Sequence, residues 1–141
     1  MIALDTNVLV RYLVRDDANQ AEASRSLLDS LTADRPGYVC REVVVELVWV
    51  LERAYGHSRD RIAAVLEELV ATEGIVVEAD GDVARSAFRY RTGGAGFSDL
   101  MILAAVERSG AHPLYTFDRK PARLAGATLL TRKHGERRRI V

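Results

Sequence analysis

Short apolar runs alternate with longer stretches of helical periodicity along this chain of 141 residues. The runs are Met1–Leu4, Tyr38–Val39, Ile75–Val77, Pro113–Thr116 and Thr128–Leu130. Strands that are separated by helices need crossover connections, and such connections favour a parallel sheet covered by helices. The sequence therefore predicts a single α/β domain.

The helices are predicted from apolar spacing near 3.6 residues and from the residues that begin or end them. Ser58 and Ser98 are good N-caps, Gly56 and Gly110 are good end signals, and the glycine-rich stretch Arg91–Gly96 is predicted to be a flexible loop. Trp49 is interpreted as a core residue. The predicted helices are one after Asp5, Asn19–Leu31, Arg41–Tyr55, Arg59–Ala71, one from Asp80 or Asp82 to Tyr90, and Asp99–Arg108.

Cysteine and histidine usage excludes several classes of protein. One cysteine, Cys40, and three scattered histidines cannot form a disulfide framework or a Cys/His zinc site, and they fit a reducing compartment. The N-terminal residues do not resemble a signal peptide, and no apolar run approaches the ~18 residues of a membrane span. We therefore expect a soluble, cytoplasmic protein without a membrane partner.

Four acidic residues, Asp5, Glu46, Asp99 and Asp118, lie within or at the edge of strongly apolar segments. Asp5 and Asp118 follow predicted strands, and ligands of open parallel sheets bind beyond the carboxyl ends of the strands. Carboxylates within ~4 Å repel by about 4 kcal/mol per pair at an effective dielectric of ~20, so a cluster needs a cation or protons. Oxygen ligands favour Mg²⁺ or Mn²⁺.

Each acid also has a simpler interpretation. Asp5 could instead cap a helix, Asp99 could be an ordinary first-turn acid, and Asp118 could be a turn residue. For Glu46 the alternative is a buried ion pair with Arg53, which would be uncommon.

The charge is unevenly distributed, although the chain has no net charge. Residues 119–141 hold eight Lys or Arg residues and one acid, Glu136, so the C-terminal end is strongly basic. This end could contact a polyanion, or it could be a solvated tail. We expect a domain at residues 1–131 and a basic tail at 132–141, with Arg119, Lys120, Arg132 and Lys133 as candidate substrate-binding residues.

Four segments resemble the PIN-domain ribonucleases, and most closely the VapC-type toxins of type II toxin–antitoxin systems. The segments are Ala3–Val10, Val45–Leu51, Phe97–Ala105 and Leu114–Asp118. The resemblance implies a three-layer α/β/α fold around a short, mostly parallel central sheet. It also implies an Mg²⁺- or Mn²⁺-dependent endoribonuclease, a hydrolase that leaves 5′-phosphate and 3′-hydroxyl ends. A small antitoxin would bind it by a helix in an apolar groove, and a homodimer is expected.

The resemblance also assigns roles to residues. Asp5 and Asp99 would be direct metal ligands, and Glu46 and Asp118 would complete the acidic cluster directly or through water. Asn7 and Thr116 would hold the cluster by hydrogen bonds. Many relatives carry a further acid just before the Asp99 position, where Gly96, Phe97 and Ser98 stand here, so the number of metal ions stays open.

Two other functions stay open at this point. The chain could be a non-catalytic module that uses the fold to bind RNA or a protein. It could also be an aspartate-based phosphotransfer enzyme or phosphatase, because Asp5–Leu9 looks like the haloacid-dehalogenase signature, but with Asn7 in place of its second Asp.

Overall fold

The computed structural model describes residues 1–132. Strands and helices alternate along the chain as the apolar runs predict. The elements are β1 (Ile2–Ala3), α1 (Thr6–Val14), α2 (Ala18–Asp29), β2 (Gly37–Val39), α3 (Arg41–Arg53), α4 (Arg59–Ala71), β3 (Ile75–Val77), α5 (Asp80–Arg91), α6 (Phe97–Ser109), β4 (Leu114–Thr116), α7 (Arg119–Ala122) and β5 (Ala127–Leu129).

All strand pairs in the described residues are parallel, which confirms the predicted sheet type. In one ladder β2 lies between β1 and β3, with Ala3 opposite Tyr38 and Tyr38 opposite Val76. In the second ladder β4 pairs with β5, with Leu114 opposite Ala127. The small parallel sheet and its covering helices fit the three-layer α/β/α class.

The helix boundaries follow the end signals closely except at one start. Ser58 caps α4 by accepting a hydrogen bond from the Arg61 N–H at 3.2 Å, and Gly110 ends α6 with a φ of +77°. The predicted N-cap at Ser98 is wrong, because α6 begins at Phe97, two residues before the predicted start at Asp99, and Gly96 occupies the cap position. The short helix α7 was not predicted.

The core lies between the sheet and the long helices. Helix α3 buries Val44, Leu47 and Leu51, which alternate with exposed positions at helical spacing. Tyr90 of α5 and Phe97 of α6 are the largest fully buried side chains, and their rings meet edge to face at 6.0 Å. The prediction that Trp49 is a core residue is wrong, because it lies on the outer face of α3 and is 58% exposed.

Among the described residues, no helix combines the length and the apolar character that crossing a bilayer requires.

Candidate active site

Asp5 lies where the chain leaves the sheet and enters α1. Leu4 before it is buried, and Asp5 takes the N-cap position, where its Oδ1 accepts a hydrogen bond from the Thr6 N–H at 2.8 Å. The capping interpretation is therefore correct for one carboxylate oxygen. Because a carboxylate has two oxygens and about four lone-pair sites, capping and metal binding are compatible at Asp5.

Glu46 is joined to the start of α1 by a hydrogen bond. The buried Thr6 hydroxyl donates to Glu46 Oε1 across a separation of 40 residues, and α1 packs against α3. Glu46 itself is exposed, and no ion pair within residues 1–132 joins it to Arg53, so the alternative of a buried salt bridge is wrong. Nothing in the sequence pointed to Thr6 as the partner, because the bond depends on how α1 and α3 pack.

Asp99 and Asp118 form the second pair of acids. Asp99 lies in the first turn of α6 and is half-buried, whereas Asp118 is exposed at the end of β4. Burial raises the pKa of the Asp99 carboxyl, the negative charge of Asp118 raises it further, and a backbone hydrogen bond at Gly96 opposes both effects. The negative charge of Asp118 thus disfavours the ionised form of Asp99, and a bound cation would relieve this repulsion.

The two residues expected to support the cluster have different environments. Thr116 accepts a hydrogen bond at its Oγ1 from the Asp118 N–H at 3.0 Å, so it fixes the chain at Asp118. Asn7 is exposed in the first turn of α1, and within residues 1–132 its side chain forms no hydrogen bond. The supporting role of Asn7 stays a prediction.

The helices that carry the acids are connected. Arg41 at the start of α3 donates from Nη2 to the Met101 carbonyl of α6 at 2.8 Å, and α3 also packs against α6. This contact places the Thr6–Glu46 pair and the Asp99–Asp118 pair on neighbouring elements. Glu46 and Ser98 line one open cleft of about 450 Å³ with Arg41, Trp49 and Ile102.

The four candidate carboxylates are suitable ligands for a hard divalent cation, but they do not form a complete ligand set. No group of three or more His, Cys, Asp or Glu side chains within the described residues stands at metal-binding spacing. Carboxylates without a cation repel one another, which favours a separated arrangement. Asp5, Glu46, Asp99 and Asp118 supply the oxygen donors that Mg²⁺ and Mn²⁺ prefer, so the residues fit such an ion chemically.

A clamp made by Arg59 holds the glycine-rich loop that leads to Asp99. Its Nη1 donates to the carbonyls of Tyr90 and Ala95 at 2.9 and 3.0 Å, and its Nη2 donates to the Gly94 carbonyl at 3.2 Å. Gly93 and Gly94 adopt φ of +92° and +89°, a conformation that L side chains rarely adopt. The loop predicted to be flexible is thus held at two of its carbonyls, Gly94 and Ala95, and at the Tyr90 carbonyl in the last turn of α5. The residue that holds it, Arg59, is the first residue of α4, which its sequence position does not reveal.

The basic candidates lie beside the acids only in part. Arg119 and Lys120 are exposed in α7 directly after Asp118, and Arg132 is exposed at the last described position. Lys133 lies outside the described residues. The structure therefore places two of the four candidate substrate-binding residues next to an acid of the site.

Comparisons with known proteins add the family. No curated protein matches the chain significantly. The structure is similar to VapC20 of Mycobacterium tuberculosis, a toxin that cleaves the sarcin–ricin loop, with 19% sequence identity, a TM-score of 0.44, and coverage of 86% of this chain and 93% of that one. A likeness of this degree does not transfer the substrate of VapC20 to this chain. The family model for the PIN domain matches residues 2–127, and the chain therefore belongs to the PIN domain family.

Proposed function

We propose that this protein is a Mg²⁺- or Mn²⁺-dependent endoribonuclease, and that it acts in the cytoplasm as the toxin of a toxin–antitoxin pair. The observation that supports it most is the Asp99–Asp118 pair, in which burial and the neighbouring charge raise the pKa of Asp99. Two neighbouring carboxylates repel each other and so destabilise the fold, but their oxygens can supply part of the ligand set of a metal ion. Asp5 and Glu46 on the adjoining elements would supply the other half.

The four acidic residues would have different roles in phosphodiester hydrolysis. Asp5 and Asp99 would hold the ion, and Glu46 and Asp118 would complete its surroundings directly or through water. When bound, a divalent ion of this kind supplies positive charge to the phosphate oxygens and makes a nearby water easier to deprotonate. Glu46, positioned by Thr6, or Asp118, positioned by Thr116, would orient the attacking water and accept its proton. The water oxygen would bond to phosphorus while the P–O3′ bond breaks, and the leaving 3′ oxygen would take up a proton from solvent, which leaves 5′-phosphate and 3′-hydroxyl ends.

The test is cleavage of labelled single-stranded RNA in Mg²⁺ or Mn²⁺, with and without EDTA. Asp99→Asn should abolish cleavage and Mn²⁺ binding by calorimetry. Asp34→Asn, which changes an exposed aspartate before β2, at the end of the parallel strands opposite to Asp5, is the matched control and should cleave at the wild-type rate. Cleavage by Asp99→Asn at the wild-type rate would show that the site is wrongly assigned.

The other two functions predict different results. A non-catalytic module would bind RNA without metal-dependent cleavage. An aspartate-based phosphotransfer enzyme would form an aspartyl-phosphate that a fluoroberyllate analogue traps. Cleavage that depends on both the metal and Asp99 contradicts each of them.

The proposed antitoxin has an apolar groove available. Leu9 and Leu13 of α1, Leu28 of α2, and Val65 and Leu69 of α4 line a cleft of about 200 Å³, with Leu47 of α3 beside them. An amphipathic helix binds such a groove through anchors at i, i+3 and i+4. A short reading frame immediately upstream of this gene, encoding such a helix, would support the pairing, and co-purification of its product would test it.

The proposed homodimer would form through a different surface from the groove proposed for the antitoxin. Trp49 of α3 and Ile102 of α6 are 58% and 50% exposed, and both line the cleft that contains Glu46. Large apolar side chains that are enriched at interfaces and lie on adjoining helices favour a protein contact here. Such a dimer would place the second subunit at the border of the active site.

A further inference from the structure

Helix α5 presents an arginine- and phenylalanine-bearing face that has no role in the site described above. Its inner face carries the buried residues Val83, Ala87 and Tyr90. Its outer face carries Arg85, Phe88 and Arg89, which are all exposed and lie at spacings of three and four residues. Phe88 is 67% exposed, and its ring lines a cleft together with the side chains of Arg85 and Arg89.

Two open clefts share these arginines. Arg85 and Arg89 line both clefts. The first measures about 430 Å³ and is otherwise formed by Ala84 and Phe88, so it is apolar. The second measures about 480 Å³ and adds the charged side chains of Asp82, Glu107 and Arg108. Arg85 and Arg89 therefore border both an apolar cleft and a charged cleft.

Positive charge exceeds negative charge around the second cleft. Asp82 is buried, and Arg85 contacts its Oδ1 at 2.8 Å, Arg41 approaches its Oδ2 at 3.9 Å, and Arg108 also contacts it. The two acids of this cleft, Asp82 and Glu107, cannot neutralise the four guanidinium groups of Arg41, Arg85, Arg89 and Arg108, and within residues 1–132 the Arg89 side chain has no acidic partner. The side chains of Arg85 and Arg108 stay 72% and 55% exposed, so an external anion can reach them.

We propose that this surface, which we call the α5 ridge (Arg85, Phe88, Arg89 and Arg108), binds single-stranded RNA at a distance from the catalytic carboxylates. Phe88 stacks against an unpaired base, and the arginines contact the flanking phosphates. Single-strand binding sites combine an aromatic platform with a basic track in this way. The proposal rests on the proposed ribonuclease function, because that function makes RNA the polyanion the protein meets.

The position of the α5 ridge determines which RNA it affects. Helix α6 carries Asp99 in its first turn and Arg108 in its last, and nine residues at a rise of about 1.5 Å per residue separate them by roughly 13 Å along the axis. A long RNA could contact both ends of α6, whereas a very short one bound at the carboxylates could not. The α5 ridge should therefore strengthen the binding of longer single strands and leave cleavage of the shortest substrates unchanged.

An acidic peptide is the main competing ligand. The arginines would suit its carboxylates, but the apolar cleft has a single large side chain, Phe88, and no row of pockets for the anchors of a peptide helix. One exposed ring flanked by guanidinium groups matches one base flanked by phosphates better.

The test measures the RNA affinity of the full chain in EDTA. The chelator prevents cleavage, so the proposed catalytic carboxylates do not have to be substituted. Fluorescence anisotropy would follow a single-stranded RNA longer than about 16 nucleotides and a duplex of the same sequence over a range of salt. The variants are Phe88→Ala, Phe88→Trp and the double variant Arg85→Gln with Arg89→Gln. The matched charge control is Arg25→Gln with Arg35→Gln, two exposed arginines outside the α5 ridge.

We expect Phe88→Ala to weaken single-strand binding roughly fivefold or more, while Phe88→Trp retains it and duplex binding does not change. The double arginine variant should reduce the log–log salt slope by about 1.4, at roughly 0.7 per lost contact, relative to the matched control. All variants should cleave RNA of about 4 nucleotides at the wild-type rate in Mg²⁺, which reports the proposed function separately.

Wild-type single-strand affinity in both Phe88→Ala and the double arginine variant would overturn the proposal even if cleavage is confirmed. Equal weakening by the matched control would also overturn it, because the effect would then be one of net charge. A poly-glutamate peptide that binds the wild type more tightly than single-stranded RNA, and loses affinity in both variants, would assign the α5 ridge to an acidic protein instead.

Discussion

The guanidinium of Arg59 lies over the ring of the buried Tyr90, 4.4 Å from its centroid, while its nitrogen atoms donate to the Tyr90 carbonyl and to two carbonyls of the following loop. The Tyr90 hydroxyl in turn donates to Glu52 of α3. This network links α3, α4 and α5 to the loop from which α6 and Asp99 emerge. The position of Asp99 therefore depends on side chains that are remote from the chemistry.

Arg59→Met should loosen the loop and weaken the site. Removing the charged donor leaves carbonyls that must find other partners and removes the cation–π contact, so we expect a loss of about 2 kcal/mol in the free energy of unfolding. Mn²⁺ affinity should fall as well, since the loop supplies the Gly96 hydrogen bond to Asp99. Urea denaturation and calorimetry measure the two effects.

Arg61→Met is the matched control for this change, because Arg61 is an exposed arginine on the same helix. If Arg59→Met behaves like Arg61→Met in both measurements, the loop does not depend on the clamp.

Thr6→Val should slow cleavage with little change in stability. Valine has nearly the shape of threonine but no hydroxyl, so the bond to Glu46 is lost while the buried position stays filled. The exposed Glu46 carboxylate can be hydrated instead, which limits the cost to folding. We expect a cleavage rate about tenfold lower, less than the roughly 10²–10⁴-fold that a whole acid–base group contributes, because the Glu46 carboxylate remains and only its positioning is lost. Thr6→Ser keeps the hydroxyl and should retain most of the activity, and a slow Thr6→Ser would show that the methyl group matters instead.

The pH dependence of the free energy of unfolding should test whether the pKa of Asp99 is raised. Because the pKa of Asp99 in the folded protein is raised above the ordinary value of 3.8, ionised Asp99 destabilises the metal-free fold. This penalty is full at neutral pH and disappears as the pH falls through the raised folded pKa. Asp99→Asn should thus be more stable than the wild type at pH 7 in EDTA, and the difference should shrink on acidification.

Comparing the two proteins removes the other titrating groups. The Tyr55 hydrogen bond and Arg11 hold the pKa of Asp16 below its usual value, so Asp16 destabilises both proteins equally in acid. Melting temperatures measured from pH 7 down to about pH 4 give the difference. A difference that stays constant, or grows in acid, contradicts the raised pKa.

The sequence predicted the parts of this fold that local physics determines. The apolar spacing of Arg59–Ala71 and the cap at Ser58 predicted α4 correctly, and the strands Ile75–Val77 and Leu114–Thr116 follow from compact apolar runs. The start of α6 was misplaced because Gly96 caps it with extended backbone alone, at φ −70° and ψ 158°, and a cap without a side-chain bond gives no sequence signal.

Contacts between distant segments could not be predicted in the same way. Trp49 lies in an apolar helix, and hydrophobicity alone does not say whether the domain or a partner covers a given face. The Thr6–Glu46 bond and the Arg59 clamp join residues about 30 to 40 positions apart, so they exist only once the helices pack. The sequence does single out the acids as candidates, because a carboxylate in an apolar segment is conspicuous locally, but their common site stays a prediction.

Trp49→Glu should abolish the proposed dimer without unfolding the protein. In the dimer, a carboxylate at position 49 would be buried without an opposite charge, which costs free energy. In the monomer it lies in water on the exposed face of α3. Sedimentation or light scattering should show a monomer, with a circular dichroism spectrum like that of the wild type. Leu27→Glu changes an exposed apolar residue of α2 and should leave the dimer intact. A wild-type protein that is already monomeric at all concentrations would exclude the homodimer.

Removal of residues 132–141 tests the basic C-terminal end, most of which lies outside the described residues. Arg119 and Lys120 follow Asp118 directly, and the segment removed adds five further Lys or Arg residues. An acidic pocket attracts a polyanion poorly, so we expect these side chains to guide RNA to it. Truncation should weaken RNA binding and lower the log–log salt slope by roughly 0.7 for each lost phosphate contact, while Mn²⁺ binding stays the same.

The competing possibility is that the basic end docks on the acidic body of residues 1–118 or on the antitoxin. Truncation would then leave the salt slope for RNA unaltered and would change the stability of the protein or of its complex instead. RNA affinity at several salt concentrations, measured for full-length and truncated chains that both carry Asp99→Asn, separates the two because neither protein can cleave the probe. Truncating the Phe88→Ala chain as well should add the two losses, since distant and independent contacts contribute additively.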